Sequence, residues 1–324
     1  MSTCSWNCQG VGQPWKIQFL SDVIRQTRTN FVFLCETLCR KEKMDWLCSK
    51  LGYDGVFVVD VQGRSGGLAL MWRDVDQVSL KSYSQNHIDI EVSMSGIAPW
   101  RLTGFYGEPV RNQRRRTWDL LRTLARDSNL PWCVIEDMNN ITSQADTRGG
   151  ANYPTWLVDG FNEIIAEVGL VDMDMVGYQY TWERGRGTEN WIEMRLDRVL
   201  TSDSWLDVFP LAKLYSLEGS PSDHAAIFLE PKRRSTENRR RRFRFENAWL
   251  TEPLCYQIVK DNWEGSRDLY IMQKIKQCGE RLDLWGKDVT GSFSTRIKKC
   301  KVELKQLRNK RDTQSLQRYN EVKK

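Results

Sequence analysis

The sequence predicts an α/β protein with sheets packed on one another, followed by a basic helical segment. Short strand-like runs alternate with amphipathic stretches through residues 1–230, and the composition becomes charged and poor in aliphatic residues after Pro231. Some strand-like runs alternate apolar and polar residues while others are continuously apolar, which is typical of sheets covered on one face or on both. We therefore predict an α/β domain over residues 1–231 and a separate segment over residues 232–324.

The strand-like runs are rich in β-branched and aromatic residues and are bounded by turn-forming residues. They occupy residues 31–37, 56–60, 67–72, 87–94, 101–107, 132–137 and 225–231. Apolar residues at helical spacing predict helices over residues 14–28, 40–50, 111–127 and 155–168. The strands and helices interleave, as expected for helices that cover the outer faces of sheets.

The segment after Pro231 predicts a basic linker and two helices. Apolar residues recur at spacings of three and four in two series: Ile271, Ile275, Cys278, Leu282 and Trp285, then Ile297, Cys300, Leu304 and Leu307. The stretch "GSFS" at 291–294 separates the two series and predicts a turn. We expect a helical hairpin or coiled coil that packs on itself, rather than a dimerisation element.

Charge is distributed unevenly along the chain. Residues 231–324 contain 25 Lys and Arg against 12 Asp and Glu, a net charge of +13, which leaves 23 and 30 for residues 1–230, a net charge of −7. The acidic part suits a domain that gathers carboxylates around a metal ion, and the basic part suits a polyanion such as RNA or DNA. The arginine run 239–242 predicts phosphate contacts or a nuclear import signal, with a solvated linker as the equal alternative.

Membrane insertion, secretion and zinc binding are not favoured. No run of 18 apolar residues occurs, and the N-terminus lacks the basic and apolar regions of a signal peptide. The nine cysteines therefore predict reduced thiols. Pairs such as Cys4 and Cys8 have a CxxxC spacing without a nearby histidine, which favours core packing over a zinc site.

Polar residues collect at the C-terminal ends of predicted strands. The set comprises Asn7, Glu36, Tyr106, Asp137, Asn139, Asp223 and His224, and Asp197 lies within a further apolar strand. Each residue alone has a structural explanation as a turn or surface residue. Taken together, carboxylates, amides and an imidazole are the groups that a site for a hard metal ion and a phosphate requires.

The ordered motifs "WNCQG", "CET", "GFYGEP", "DMN", "RLDR" and "SDH" resemble those of the endonuclease/exonuclease/phosphatase superfamily. With "SGGLALMW" and "YTWERG", the sequence is similar to that of the apurinic-like endonuclease domain of plant LINE-type (non-LTR) retrotransposons. The resemblance covers roughly residues 4–230. It implies a four-layer α/β/β/α sandwich of the DNase type, with the basic helical segment as a C-terminal extension.

The resemblance also implies a metal site. Glu36 would hold Mg²⁺, with Mn²⁺ as the alternative ion, and Asn7 would lie beside it. Asp223 would be a further ligand, directly or through water. Oxygen ligands of this kind suit a hard ion that keeps several of its waters.

The same resemblance implies catalytic roles. Asp137 would position and deprotonate the attacking water, and Asn139 would hold the scissile phosphate. His224 would donate to a phosphate oxygen and would be oriented by Asp197, as a carboxylate fixes an imidazole elsewhere. Tyr106 would reach the phosphate or assist the leaving oxygen. The other histidine, His87, has no motif around it and is predicted to be structural.

Three positions depart from the superfamily pattern. Glu136 stands where a glycine usually precedes the catalytic aspartate, and we expect it to add bulk and charge next to the base. Met138 replaces an aromatic residue, and Leu38 follows the glutamate–threonine pair where a basic or polar residue is common. None of these changes removes a predicted ligand.

Contacts with nucleic acid are predicted from basic and aromatic residues near the motifs. The candidates are Arg114, Arg116, Trp182, Arg184 and Arg186. The loop over residues 179–187 combines an aromatic residue with arginines, which suits insertion into a DNA groove. A solvated helix face is the alternative for the arginines at 114–116.

The function predicted from these observations is a Mg²⁺-dependent endonuclease that nicks target DNA in the nucleus for a LINE-type retroelement. Two alternatives stay open: a phosphatase or RNA-cleaving member of the same superfamily, and a catalytically weakened copy that binds nucleic acid, including RNA, through residues 232–324. No membrane partner is expected, and the sequence does not indicate an oligomeric state.

Overall fold

The protein is described from a computed structural model. It covers residues 1–63, 66–74, 78–231, 245, 249–250, 252–266 and 270–323, with the backbone alone for residues 287–298. Contacts between residues divide the chain into two units, Met1–Ser235 and Thr236–Lys324. No helix in the described part of the chain combines the length and the apolar character that crossing a bilayer requires.

The first unit contains strands and helices in alternation. The strands are β1 (Thr3–Asn7), β2 (Phe31–Cys35), β3 (Gly55–Val59), β4 (Leu68–Trp72), β5 (Val78–Ser84), β6 (His87–Met94), β7 (Ile97–Phe105), β8 (Trp132–Asp137), β9 (Thr147–Arg148), β10 (Leu170–Asp172), β11 (Met175–Val176), β12 (Trp182–Arg184), β13 (Ile192–Met194), β14 (Asp197–Ser202), β15 (Lys213–Ser216) and β16 (Ile227–Glu230). The helices are α1 (Pro14–Thr27), α2 (Lys41–Leu51), α3 (Arg115–Asp127), α4 (Thr155–Glu167) and α5 (Asp203–Val208).

The described strands of this unit form three sheets. The larger two have the orders β11-β15-β16-β1-β2-β4-β3 and β10-β14-β8-β7-β6-β5, and a small sheet has the order β12-β13-β9. Strands β1 and β2 pair in parallel, as do β7 and β8, whereas β16 runs antiparallel to β1 and β14 antiparallel to β8. At each edge of both large sheets, the C-termini of some strands therefore lie beside the N-termini of others.

Alternating side chains explain how the two large sheets pack. In β2, Phe31 and Phe33 enter the core between the sheets, while Val32 and Leu34 pack under α1 and α2. A third core lies between the second large sheet and helices α3 and α4. The continuously apolar strands are thus buried on both faces, and the order helix, sheet, sheet, helix confirms the predicted four-layer sandwich.

The second unit differs from its prediction at one point. It contains α6 (Pro253–Gly265), α7 (Ile271–Arg308) and α8 (Thr313–Lys323). The turn predicted at 291–294 is wrong, because α7 continues through these residues. One glycine and two serines lower the helical preference of this stretch but do not end the helix. The arginine run 239–242 lies outside the described residues.

His87 is embedded in the sheet, where it pairs with Phe105, the residue before Tyr106. It is buried in β6, and the hydroxyl oxygens of Ser82 and Ser84 lie 3.0 and 2.8 Å from its Nε2 and Nδ1. Burial and the charge of Arg101 lower the pKa of His87 to about 4. This environment favours the neutral imidazole.

We expect His87→Gln to change how stability depends on pH. An unfolded histidine titrates near pH 6.5, so between that value and about 4 the unfolded wild type binds more protons than the folded wild type. His87 therefore contributes stability that is complete above about pH 6.5 and declines by about 3 kcal/mol as the pH falls to about 4. Urea unfolding of both proteins across this range measures the difference, and the carboxylates cancel because both proteins contain them. Parallel stability profiles for the two proteins would contradict the assignment.

Candidate active site

Eight motif residues meet at one end of the sandwich, between the two large sheets. Asn7 and Asp137 are the last residues of β1 and β8, Asn139 lies two residues beyond β8, and Glu36 and Tyr106 directly follow β2 and β7. Asp197 is the first residue of β14, and Asp223 and His224 precede β16. Placing these last three at strand C-termini or strand interiors was wrong. Because β14 and β16 run antiparallel to their neighbours, their first residues reach the same edge.

His224 and Asp197 form a buried pair. The imidazole Nδ1 lies 3.0 Å from Oδ2 and 3.1 Å from Oδ1 of Asp197, and neither side chain is more than 6% exposed. Burial alone would lower the pKa of His224, but the carboxylates of Asp197 and Asp137 raise it to about 10. The ring is therefore protonated at neutral pH, and its Nδ1–H donates to Asp197.

Asp137 faces this imidazole across a short gap. Its Oδ2 lies 3.9 Å from Nε2 of His224. Asn139 holds the carboxylate in place, because its backbone N–H donates to Oδ1 at 2.8 Å and its side-chain amide donates to Oδ2 at 3.2 Å. Burial raises the pKa of Asp137 to about 6, against the opposing effect of the His224 charge. Asp137 is thus an ionised carboxylate above about pH 6, poised to accept a proton.

Asn7 lies between Glu36 on one side and Asp137 with His224 on the other. Its Nδ2 donates to Oε1 of Glu36 at 2.9 Å and to Oδ2 of Asp137 at 3.1 Å, and it lies 3.5 Å from Nε2 of His224. The Tyr106 hydroxyl donates to the same Glu36 oxygen at 2.8 Å. Burial and the neighbouring charge of Glu36 raise the pKa of Tyr106 well above its usual range, so the phenol keeps its proton.

Asp223 is fixed by two neighbours. The indole N–H of Trp182 donates to its Oδ2 at 2.9 Å, and the hydroxyl of Ser222 donates to its Oδ1 at 3.3 Å. Ser222 donates through its hydroxyl to the backbone oxygen of Asn7 at 2.9 Å, which ties the segment before His224 to the end of β1. Trp182 therefore belongs to the candidate site itself, in addition to its predicted role at the nucleic-acid surface.

The charge and donor types of this cluster fit a hard divalent cation. Four carboxylates surround one imidazolium: those of Glu36, Asp137, Asp197 and Asp223. Ligand atoms of Asp137, Asp197 and His224 lie within 4.8 Å of one another. Both oxygens of Asp197 are engaged by the imidazole, however, so the half-buried Glu36 offers the more accessible oxygens. Asn7 lies beside this carboxylate, to which its Nδ2 donates at 2.9 Å.

Glu136 does not add a charge to the cleft. Strict alternation after Cys133 and Ile135 would turn it to the outer face, yet it accepts from the thiol of Cys35 in the facing sheet at 3.8 Å. Its φ of 113° lies in the region that favours glycine, and its side chain is fully buried. Burial and the charge of Asp197 raise the pKa of Glu136 well above its usual range, so the carboxyl is neutral. The expected charge next to the base is therefore absent.

Backbone strain is concentrated at this end of the sandwich. Of the seven non-glycine residues with positive φ among those described, five lie around the site: Glu136 in β8, and Gln9, Glu36, Leu38 and Asn139 in the adjoining loops. Such conformations each cost on the order of 1–3 kcal/mol and persist where the surrounding structure holds them. Met138 is fully buried, and Leu38 is 44% exposed beside Gly10.

The structure separates the predicted nucleic-acid contacts into two groups. Arg116 on α3 and Arg184 on β12 are exposed. Arg186 is mostly buried, bonds Glu183 through two nitrogens and lies over the ring of Trp191 at 4.9 Å. Arg114 is also buried, where its Nε donates to the backbone oxygen of Glu108. The exposed guanidiniums are the better candidates for contacts with phosphates.

Two residues near the site had no distinguishing signal in the sequence. Arg111 lies over the ring of Tyr153 at 5.3 Å, and the Tyr153 hydroxyl donates to the backbone oxygen of Asn139 at 3.3 Å. Thr181 is fully buried, and its hydroxyl oxygen accepts from the backbone N–H groups of Leu196 and Asp197. Thr181 belongs to the motif "YTWERG", but the contacts predicted from that motif were those of its tryptophan and arginines.

Comparison with known proteins agrees with this architecture. A family model described as "Endonuclease/Exonuclease/phosphatase family" matches residues 4–224. A search of curated protein sequences finds no match. Among solved structures, the endonuclease domain of TRAS1, a telomere-specific non-LTR retrotransposon, is similar with a TM-score of 0.55 and 15% identity, covering 72% of this chain and 99% of that one.

Two further solved structures share the fold. One is the 3′ phosphatase NExo from Neisseria bound to product DNA hairpin, with a TM-score of 0.56 and 17% identity over 72% of this chain and 99% of that one. Another is an AP endonuclease from Archaeoglobus fulgidus, with a TM-score of 0.55 and 16% identity over 71% of this chain and 98% of that one. At these identities the likeness concerns the fold.

Proposed function

The chain belongs to the endonuclease/exonuclease/phosphatase family, and from this premise we propose that it is a divalent-metal-dependent endonuclease that nicks DNA. The observation that carries the proposal is the buried His224–Asp197 pair facing Asp137 across 3.9 Å. A protonated donor and a carboxylate base on either side of a small gap are what hydrolysis of a phosphodiester requires. Nicking of target DNA for a LINE-type retroelement is the biological role that we propose.

In the proposed reaction, Asp137 accepts a proton from the attacking water. Asn139 and Asn7 donate to its oxygens and so orient its remaining lone pairs. Nε2–H of His224 donates to a non-bridging phosphate oxygen, whose negative charge grows as the water attacks. Asp197 keeps the imidazole oriented and protonated. The amide hydrogens of Asn139 are used within the protein, by Asp137 and Gly107, so its contact with the phosphate stays a prediction.

Glu36, with Asn7 and Asp223 nearby, would hold the metal ion. Mg²⁺, or Mn²⁺ in its place, would neutralise charge on the phosphate and stabilise the leaving oxygen. The hydroxyl of Tyr106 orients Glu36 from one side, and Trp182 orients Asp223 from another. These hydrogen bonds hold the carboxylates in place before an ion arrives, which lowers the cost of binding it.

DNA is the proposed substrate because exposed arginines lie on two elements of this unit. Arg184 projects from β12, the strand that follows Thr181, and Arg116 projects from α3. Both could neutralise phosphates of a DNA strand that crosses the cleft. Nuclear import through residues 239–242 and RNA binding by residues 232–324 stay predictions.

The proposal is tested with supercoiled plasmid. We expect nicking with Mg²⁺, none with EDTA, and a loss of about 10²–10⁴-fold in rate for Asp137→Ala, the range for removal of a general base. An inositol phosphate and a single-stranded RNA serve as parallel substrates. Faster hydrolysis of either one would move the protein to another branch of the family. A folded protein that leaves all three substrates intact would support the catalytically weakened alternative.

A further inference from the structure

Thr181 is the point where three segments of the candidate site are joined. Its side chain is fully buried at the start of the small sheet. Its hydroxyl oxygen accepts from the backbone N–H of Leu196 at 3.0 Å and from that of Asp197 at 2.9 Å. Its backbone N–H donates to Met194 at 2.9 Å, and its backbone oxygen accepts from Ala225 at 2.6 Å.

These bonds reach both members of the His224–Asp197 pair. Asp197 opens β14, and the hydroxyl of Thr181 fixes its backbone at the residue that bonds the imidazole. Ala225 directly follows His224, so the backbone oxygen of Thr181 fixes the chain at the other partner. One residue therefore sets the position of the imidazole and of its carboxylate relative to each other.

We infer that Thr181 is a positioning residue for catalysis, which acts through the pair and does not touch the substrate. Two buried N–H groups share one hydroxyl acceptor, and a side chain without that oxygen would leave both groups unpaired in the core. The entry of β14 would then shift, and with it the Asp197 carboxylate. This inference rests on the proposed nuclease function for its activity readout.

The same strand supplies a matched control. Thr201 lies four residues beyond Asp197 in β14 and is also fully buried, but its hydroxyl has no hydrogen-bond partner among the described residues. Thr201→Val and Thr181→Val make the same chemical change at two fully buried positions. Only the second removes an acceptor from the backbone beside the pair. Thr181→Ser keeps the oxygen and removes a methyl group.

We expect Thr181→Val to lower the kcat of plasmid nicking by about a hundredfold, the scale of a displacement of about 1 Å in a catalytic group. The KM for DNA should stay the same, because no exposed residue changes. Thr181→Ser and Thr201→Val should stay within about threefold of wild type. Equal losses in Thr181→Val and Thr201→Val would overturn the inference, as would a loss in a folded Thr181→Ser equal to that of the valine variant.

A second measurement is independent of catalysis. The chain has two histidines, so proton NMR in EDTA can assign the Nδ1–H resonance of His224 by comparison with His87→Gln. We expect this resonance to move or vanish in Thr181→Val and to persist in Thr201→Val and Thr181→Ser. If wild type does not nick DNA, the proposed function fails while this resonance still decides the role of Thr181. An unchanged resonance in Thr181→Val would overturn that role.

Discussion

His224→Ala should reduce metal-dependent nicking of plasmid DNA by about 10²–10³-fold, because it removes the donor that faces the developing phosphate charge. The imidazole is held by Asp197 at 3.0 Å and has a pKa raised to about 10 in spite of burial. Its proton is therefore present throughout the neutral range. The pKa of Asp137, raised by burial to about 6, sets the acidic limit. Nicking by the wild type should rise with pH through about 6 and change little between about pH 7 and about pH 9.

His87→Gln is the control for this experiment. It removes the other histidine of the chain, whose ring nitrogens lie within hydrogen-bond distance of two serine hydroxyls, and it should nick at the wild-type rate. Rates are measured under single-turnover conditions, with far-ultraviolet circular dichroism as the check on folding. Nicking by a folded His224→Ala at the wild-type rate would mean that another group supplies the proton or that a contaminating nuclease is present.

Glu136→Gln should make the protein more resistant to unfolding, and the gain should grow as the pH rises above about 5. Burial and the charge of Asp197 raise the pKa of Glu136 well above its usual range, so the folded protein keeps this proton while the unfolded chain loses it. At this residue the folded state then binds more protons than the unfolded state, so the contribution of Glu136 to wild-type stability falls as the pH rises above about 5. Glutamine has nearly the same shape and cannot ionise, so the loss disappears.

Glu136→Gly provides the comparison for backbone strain. Glycine relieves the φ of 113°, but it removes a fully buried side chain and leaves a cavity. Its stability should therefore differ from that of the glutamine variant by an amount independent of pH. Both variants should nick DNA within about threefold of wild type, because a neutral carboxyl in the core exerts little field on Asp137. A rate increase of tenfold or more in both would show that Glu136 is ionised and opposes the base.

The sequence predicted those features that depend on local pattern. Strand β8 lies where a continuous apolar run placed it, since both of its faces are covered. Strand direction cannot be inferred from such a run, and for that reason Asp223 and His224 were placed at the wrong end of a strand. The side-chain direction of Glu136 could not be predicted either, because one unusual φ reverses the alternation of side chains between the two faces of β8. Likewise, only tertiary structure reveals that Arg186 is bonded to Glu183 while Arg184 is exposed.

The pairing of β1 with β16 has a consequence for how the active protein arises during synthesis. Cys4 is the partner of Phe228 in this ladder, and Asn7 meets His224 across 217 positions of the chain. Contacts of such large sequence separation form late, because the closure of a long loop must precede them. A ribosome-bound chain that ends before His224 cannot bring these side chains together. Under the proposed nuclease function, the protein would therefore cut DNA only after the whole sandwich has been made, and a product truncated before His224 would be inert.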